Sequence, residues 1–243
     1  MEVRDKVIIV TGASGGIGLA TARLLAERGA RLALVARSKD KLEALAAELP
    51  GSAAIPADMT RPDEIADMVA ETEKRFGGID VLVNNAGQGY DASMEHIDLE
   101  DFGHIVQLDV VGPLVAMQRV APVMRRGGVG AIVNVSSGLA LMAMPGMSPY
   151  SAAKRALVGL SLTARAELSG DGIVVSLVYP YATMTDFEAN TIKASGEEDE
   201  ESERHSGGGF PPDSADYVAQ LILEAIETGA AEVFAHDWMN KPR

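Results

Sequence analysis

The chain has 243 residues, 47% of them hydrophobic, enough to bury a substantial core in one α/β domain. Its net charge of −14 argues against nucleic acid or an anionic membrane surface as a partner, since both need a positive face. The absence of cysteine excludes disulfides, thiolate metal sites and cysteine nucleophiles, and the four histidines (His96, His104, His205, His236) lack zinc-motif spacing, so no metal site is expected and they read as surface or structural.

In chain order, the first apolar run is "KVIIVT" (6–11). It is too short for a signal peptide, and no later stretch is long enough to span a bilayer, so a soluble cytoplasmic protein without membrane contact is expected. The runs that follow are "RLALVA" (31–36), "SAAIPAD" (52–58), "DVLVNN" (80–85), "AIVNVS" (131–136), "IVVSLVY" (173–179) and "AEVFA" (231–235). Several are apolar almost throughout, as suits strands covered on both faces. Between them lie helical patterns near 16–29, 38–49, 61–76, 98–126, 148–169 and 213–229, the last with an N-cap at Asp213 or Ser214. Strand–helix alternation predicts an α/β fold: one Rossmann-type, doubly wound parallel sheet of about seven strands, helices on both faces, spanning 1–243 as a single domain. The low-complexity stretch near 193–209 contains "GEEDEESER", with six acids and one arginine. It places a mobile substrate loop or lid over 186–212, with the acidic run at 197–203 inside it.

The first strand-to-helix turn, "VTGASGGIG", is punctuated by Gly12, Gly16 and Gly18. Glycine permits a tight bend and close approach of backbone to a pyrophosphate, and the helix N-terminus adds free N–H groups. Further on, "PYSAAKRA" places Tyr150 and Lys154 four residues apart, hence on one helix face. A neighbouring cation favours phenolate and lowers a tyrosine pKa that otherwise lies near 10.

With its TGxxxGxG turn, "NNAG" at 84–87, and Ser137 standing 13 residues before Tyr150, the chain resembles the short-chain dehydrogenase/reductase family in its compact branch. The resemblance covers almost the whole chain. It implies hydride transfer between a nicotinamide cofactor and a small carbonyl or alcohol substrate, with Tyr150 exchanging the proton, Ser137 holding the substrate oxygen and Lys154 beside both. It further implies cofactor contacts at Gly12, Ser14, Gly16, Ile17, Gly18, Asp58, Met59, Asn85, Ala86, Gly87, Tyr150, Lys154, Pro180, Thr183 and Thr185. At the end of the second strand Ala36 replaces the aspartate of NAD-binding members and Arg37 follows, which favours NADP(H) over NAD(H). The long helices near 98–126 and 148–169 form the family's usual interface, so a homodimer or homotetramer is expected.

Two positions depart from the family pattern. Asp109 occupies the place of the asparagine that supports a water path to the lysine. A carboxylate stabilises the lysine cation and opposes phenolate formation, so either the proton relay is altered or Asp109 is simply tolerated. Tyr181 stands where glycine is usual after the sixth strand and, with Met142 and Met144, is a candidate substrate wall. The rival readings are a cofactor-binding regulator with little turnover and a family epimerase or dehydratase.

Overall fold

The computed structural model describes residues 1–185, 187–194 and 211–240. The first half runs β1 (Val7–Thr11), α1 (Gly16–Glu27), β2 (Arg31–Ala36), α2 (Lys39–Glu48), β3 (Ala53–Pro56), α3 (Pro62–Phe76) and β4 (Val81–Asn84). Then come β5 (Tyr90–Asp91), α4 (Leu99–Val106), α5 (Gly112–Gly127), β6 (Gly130–Val135), α6 (Ser148–Leu168) and β7 (Ile173–Tyr179). The chain closes with β8 (Thr183–Met184), β9 (Ile192–Lys193), β10 (Asp213–Ser214), α7 (Ala215–Thr228) and β11 (Glu232–Phe234). Much of the expected 186–212 loop, the whole 197–203 acidic run and His205 lie outside the described residues.

Seven strands form one parallel sheet in the order β11-β7-β6-β4-β1-β2-β3. Strand side chains alternate between two cores, which is why the runs are apolar almost throughout. Ile8, Val10, Leu32, Leu34, Val81 and Val83 pack with Leu25, Leu42 and Ile222 of α1, α2 and α7. Ile9, Ala33, Val35, Leu82 and Ile132 pack with Ile65, Met68 and Val120 of α3 and α5 on the other face. Strand order reverses between β1 and β4, opening a crevice at their carboxyl ends, where open α/β sheets take their ligands. No described helix is long and apolar enough to cross a membrane.

The helix expected without interruption at 98–126 divides. A π turn over Gln107–Val111 separates α4 from α5. Gly112 and Pro113 account for the break. A Cβ on Gly112 would lie 2.4 Å from the Met59 carbonyl oxygen, so the chain must be glycine where it crosses there. Pro113 has no N–H to bond back into the preceding turn. The extra residue of a π turn rotates the chain, and π turns of this kind concentrate at functional sites. Here the turn carries Asp109, whose side chain is fully buried. The short pairings β5 with β9 and β8 with β10 also lay beyond sequence expectation, because two-residue strands have no periodicity to read.

A buried polar link ties β4, β6 and α6. Asn84 and Asn134 are register partners, Asn84 Nδ2 donates to Asn134 Oδ1 at 2.8 Å, and Asn134 Nδ2 donates to Ser161 Oγ at 2.8 Å. Replacing Asn134 by alanine strands the buried Asn84 amide. Asn134→Ala should therefore lower the unfolding free energy by about 2 kcal/mol, read from urea denaturation. An unchanged midpoint would show that the link contributes nothing.

Candidate active site

The crevice is built where β1 and β4 end. Thr11 Oγ1 accepts from the main-chain N–H groups of Asn85 (2.9 Å) and Ala86 (3.0 Å), while Asn85 Nδ2 donates to the Thr11 carbonyl (3.0 Å). Asn85 thus spends its amide nitrogen on fastening the two strand ends together. Gly12 (φ 70°) and Gly16 (φ 51°) take left-handed conformations that favour glycine. A Cβ on Gly18 would sit 2.2 Å from the Gly12 carbonyl oxygen and 2.6 Å from Asn85 Nδ2. Helix α1 starts at Gly16 with no side-chain cap and no acid in its first turn, so its N–H groups face the crevice without a competing anion. Ser14 and Ile17 lie half-buried in the same turn.

Arg37 leaves the end of β2 exposed, near Asp58 just past the end of β3. Burial works to raise Asp58, but bonds from the Thr60 N–H and hydroxyl, with the nearby Arg37 charge, outweigh it and hold the carboxyl below its usual range. Met59 follows with its side chain buried in the core, leaving its main chain as the part that can meet a ligand.

On the far side, Ser137 leaves the end of β6, and α6 pins the loop after it. Ser151 Oγ donates to the Leu139 carbonyl (2.7 Å), and the Arg155 guanidinium donates to the Ala140 (3.1 Å) and Met142 (2.8 Å) carbonyls. Met142 and Met144 are half-buried in that loop. Tyr150 and Lys154 share one face of α6, both buried, with Lys154 Nζ 5.5 Å from the Tyr150 ring centroid. The Ser137 hydroxyl neighbours the phenol and favours its ionised form, while its oxygen accepts from the Leu139 N–H (3.1 Å).

Lys154 Nζ is held between the Val135 carbonyl (3.3 Å) and Asp109 Oδ2 (3.0 Å), an ion pair with side chains 5% and 0% exposed. The Gln88 N–H donates to Asp109 Oδ1 at 3.2 Å. Gly87 makes room for this arrangement, since a Cβ there would lie 3.1–3.3 Å from Lys154 Nζ and both carboxylate oxygens. Burial works against the Lys154 ammonium, but the charges of Asp109 and Tyr150 outweigh it and hold its pKa above the usual lysine value. Burial lifts the Asp109 carboxyl above its usual range, and Lys154 pulls it only part of the way back. At 3.0 Å the ion pair is the state that leaves neither charge buried alone.

Tyr150 departs from expectation. Burial pushes its phenol up, the Lys154 charge and the Ser137 hydroxyl pull down, and Asp109 adds to the rise; the net direction is upward. The cation is present, but desolvation and its own counter-ion outweigh its effect.

The segment after β7 closes the crevice. Pro180 accepts at its carbonyl from the Gly138 N–H (2.7 Å), Thr183 Oγ1 donates to the Tyr181 carbonyl (2.8 Å), and the Thr185 Cβ lies 3.2 Å from where a Gly16 Cβ would stand. The Tyr181 ring meets His236 and Trp238 edge-on, with centroids 5.5 and 5.6 Å away. The substituted glycine position therefore carries its ring into a carboxyl-terminal aromatic cluster.

Sequence reasoning missed two residues. The Phe187 ring packs against Tyr150 at 5.8 Å, and Gln88 Nε2 donates to the Asn190 carbonyl at 2.7 Å, joining the 187–194 segment to the loop beneath. His104 Nε2 lies 3.2 Å from Gln88 Oε1, which draws one of the set-aside histidines to the edge of the site. Gln88 directly follows "NNAG", a position that was its one available signal. Among the described residues no cluster of three or more His, Cys, Asp or Glu is arranged for a metal.

A family model described as short chain dehydrogenase matches residues 6–196. A 3-oxoacyl-(acyl-carrier-protein) reductase of Staphylococcus epidermidis is 38% identical over 187 residues, which cover 75% of this chain and 77% of the relative. Among solved structures, a 3-ketoacyl-(acyl-carrier-protein) reductase from Brucella melitensis complexed with NADH superimposes with TM-score 0.86 at 25% identity, covering 96% of this chain and 97% of that one. A short-chain dehydrogenase from Sphingobium yanoikuyae in complex with NADPH gives TM-score 0.80 at 30% identity, covering 94% and 87%.

The turn fits a dinucleotide's pyrophosphate, because α1 begins without a side-chain cap or an acid and a Cβ on Gly15 would meet nothing within 4 Å, while Gly12 and Gly18 let the turn pack tightly on itself and on Asn85. Gly18→Ala should lower nicotinamide-cofactor affinity by roughly tenfold or more, measured by NADPH fluorescence titration. Unaltered affinity would mean that the turn does not receive the cofactor.

Proposed function

This chain belongs to the short-chain dehydrogenase/reductase family, and on that premise we propose that it is an NADP(H)-dependent oxidoreductase that interconverts a ketone or aldehyde with an alcohol at Ser137, Tyr150 and Lys154. The observation that carries the reading is the convergence of those three side chains at the carboxyl edge of the sheet, on the opposite side of the crevice from the glycine cradle.

NADP(H), when bound, supplies or accepts the hydride. The Gly12–Gly18 turn and the start of α1 would hold its pyrophosphate, and Arg37 the 2′-phosphate of its ribose. Asp58, the main chain of Met59, Ala86 and Gly87, and the Pro180–Thr185 segment would line the rest. Arg37 supports the phosphorylated cofactor because it is exposed and no acid replaces Ala36 at the end of β2.

The chain's own residues manage the oxygen and the proton. Ser137 hydrogen-bonds the substrate oxygen and orients it toward Tyr150. In reduction the Tyr150 hydroxyl gives its proton to that oxygen as negative charge develops there. Lys154, fixed by Asp109 and the Val135 carbonyl, supports the phenolate that results. Phe187, Met142 and Met144 give the substrate apolar neighbours, which suits a ketone or secondary alcohol with an apolar body. The exposed Leu99 (80%) of α4 and Leu162 (40%) of α6 support a homodimer or homotetramer formed through those helices.

Tyr150→Phe should reduce NADPH-dependent carbonyl reduction by about 100-fold or more while leaving cofactor affinity near the parent value. A variant as active as the parent would remove Tyr150 from the chemistry. Arg37→Ala should raise the KM for NADPH about tenfold and leave that for NADH nearly unchanged, because a charge-assisted bond to the 2′-phosphate is lost. Equal effects on the two cofactors would overturn the NADP(H) preference.

A further inference from the structure

Lys154 Nζ lies 5.5 Å from the centroid of the Tyr150 ring and 3.0 Å from Oδ2 of the Asp109 carboxylate. A lone ammonium here would act on the phenol as a full positive charge. Paired with a carboxylate that is 0% exposed, it acts as a dipole whose negative end is buried in the same low-dielectric pocket. Among the described residues, the groups facing this arrangement from the surrounding elements are few. The π turn contributes Asp109, α6 contributes Lys154 and Tyr150, and α4 contributes His104, which reaches the carboxylate's neighbourhood beside Gln88. Ser137 adds a hydroxyl that does not titrate in the accessible range.

We propose that Asp109 is a positioning residue that offsets the Lys154 charge toward Tyr150, keeps the phenol protonated and so sets the site to deliver protons, favouring carbonyl reduction over alcohol oxidation at neutral and mildly alkaline pH. This rests on the assignment of Tyr150 as the proton-exchanging group. In reduction the Tyr150 O–H bond breaks as the substrate O–H bond forms, the electron pair of the new C–H bond is the hydride that NADPH supplies, and a solvent proton restores the phenol. Oxidation needs the opposite start, a phenolate that takes the alcohol's proton while NADP⁺ accepts the hydride. A site that holds its phenol protonated is ready for the first and must be made alkaline for the second. The upward displacement of the Tyr150 pKa agrees with this division.

The direct test is the near-ultraviolet tyrosinate titration of the chain without added cofactor, with the matching Tyr150→Phe variant subtracted to isolate one phenol. In the parent background Tyr150 should ionise above the free-tyrosine value of about 10. In Asp109→Asn it should ionise about one unit lower or more. An uncharged Lys154 in that variant would mask the effect. The titration is therefore repeated with Lys154→Arg and with the Asp109→Asn/Lys154→Arg double variant, whose guanidinium stays charged. A downward shift in either pair supports the proposal; no shift in both, or an upward one, overturns it. Steady-state profiles give the second readout. The acid limb of alcohol oxidation and the alkaline limb of carbonyl reduction should both move to lower pH in Asp109→Asn, by the amount that the phenol moves. The titration reads ionisation without turnover. Full activity of Tyr150→Phe would therefore sink the functional reading, while the titration would still decide what Asp109 does to the phenol.

Discussion

Burying the ammonium of Lys154 is the constraint from which the layout of the site follows. An unpaired charge at 4% exposure is not sustainable, so the fold must bring it an anion and an acceptor. Asp109 and the Val135 carbonyl are those partners, and they come from the π turn and from the last residue of β6. The carboxylate then needs a donor of its own, which the Gln88 main chain provides. Gly87 must lack a side chain for these groups to close around one point. Residues 87–88, 107–112 and 135 are far apart in sequence, yet their conformations answer to the same buried charge.

The opposite wall obeys a different constraint, the left-handed conformation and close backbone packing of the glycine turn. Its rigidity comes from Thr11, whose hydroxyl gathers the N–H groups of Asn85 and Ala86 at the point where the strand order reverses. Because Asn85 also bonds the Thr11 carbonyl, the end of β4 cannot shift without carrying the glycine turn with it. Gly87 and Gln88 follow directly in the chain. The cradle and the charged wall are therefore two ends of one short, tightly bonded strand extension, whose spacing is held by the Thr11 hydroxyl and the Asn85 amide bonded to main chain.

Most of the sheet was legible in the sequence because each strand is apolar on both faces and is punctuated by glycine or a polar turn. "RLALVA" and "IVVSLVY" coincide with β2 and β7 to the residue. The glycine turn and the Tyr150–Lys154 spacing were legible for a related reason: local geometry alone puts their atoms together. Asp109 was legible as a substitution and as an influence on the phenol, but not as a member of a π turn, because that turn is set by the Met59 carbonyl pressing on Gly112 from another element. Phe187 was not legible, and Gln88 only through its place directly after "NNAG". Their roles depend on β5 pairing with β9 across 100 residues, and two-residue strands leave no pattern. The direction of the Tyr150 shift was missed for want of a quantity that sequence spacing does not carry, the degree of burial.

Gln88 is where the two constraints meet the substrate side. Its main-chain N–H serves Asp109, its amide nitrogen serves the Asn190 carbonyl, and its amide oxygen faces His104. Asn190 belongs to the short segment that also lays Phe187 against Tyr150. The segment that bears Phe187 and the counter-ion of Lys154 are thus tied together at Gln88. The main chain and side chain of one residue therefore join the segment over Tyr150 to the buried ion pair, so that neither can be repacked without disturbing the other.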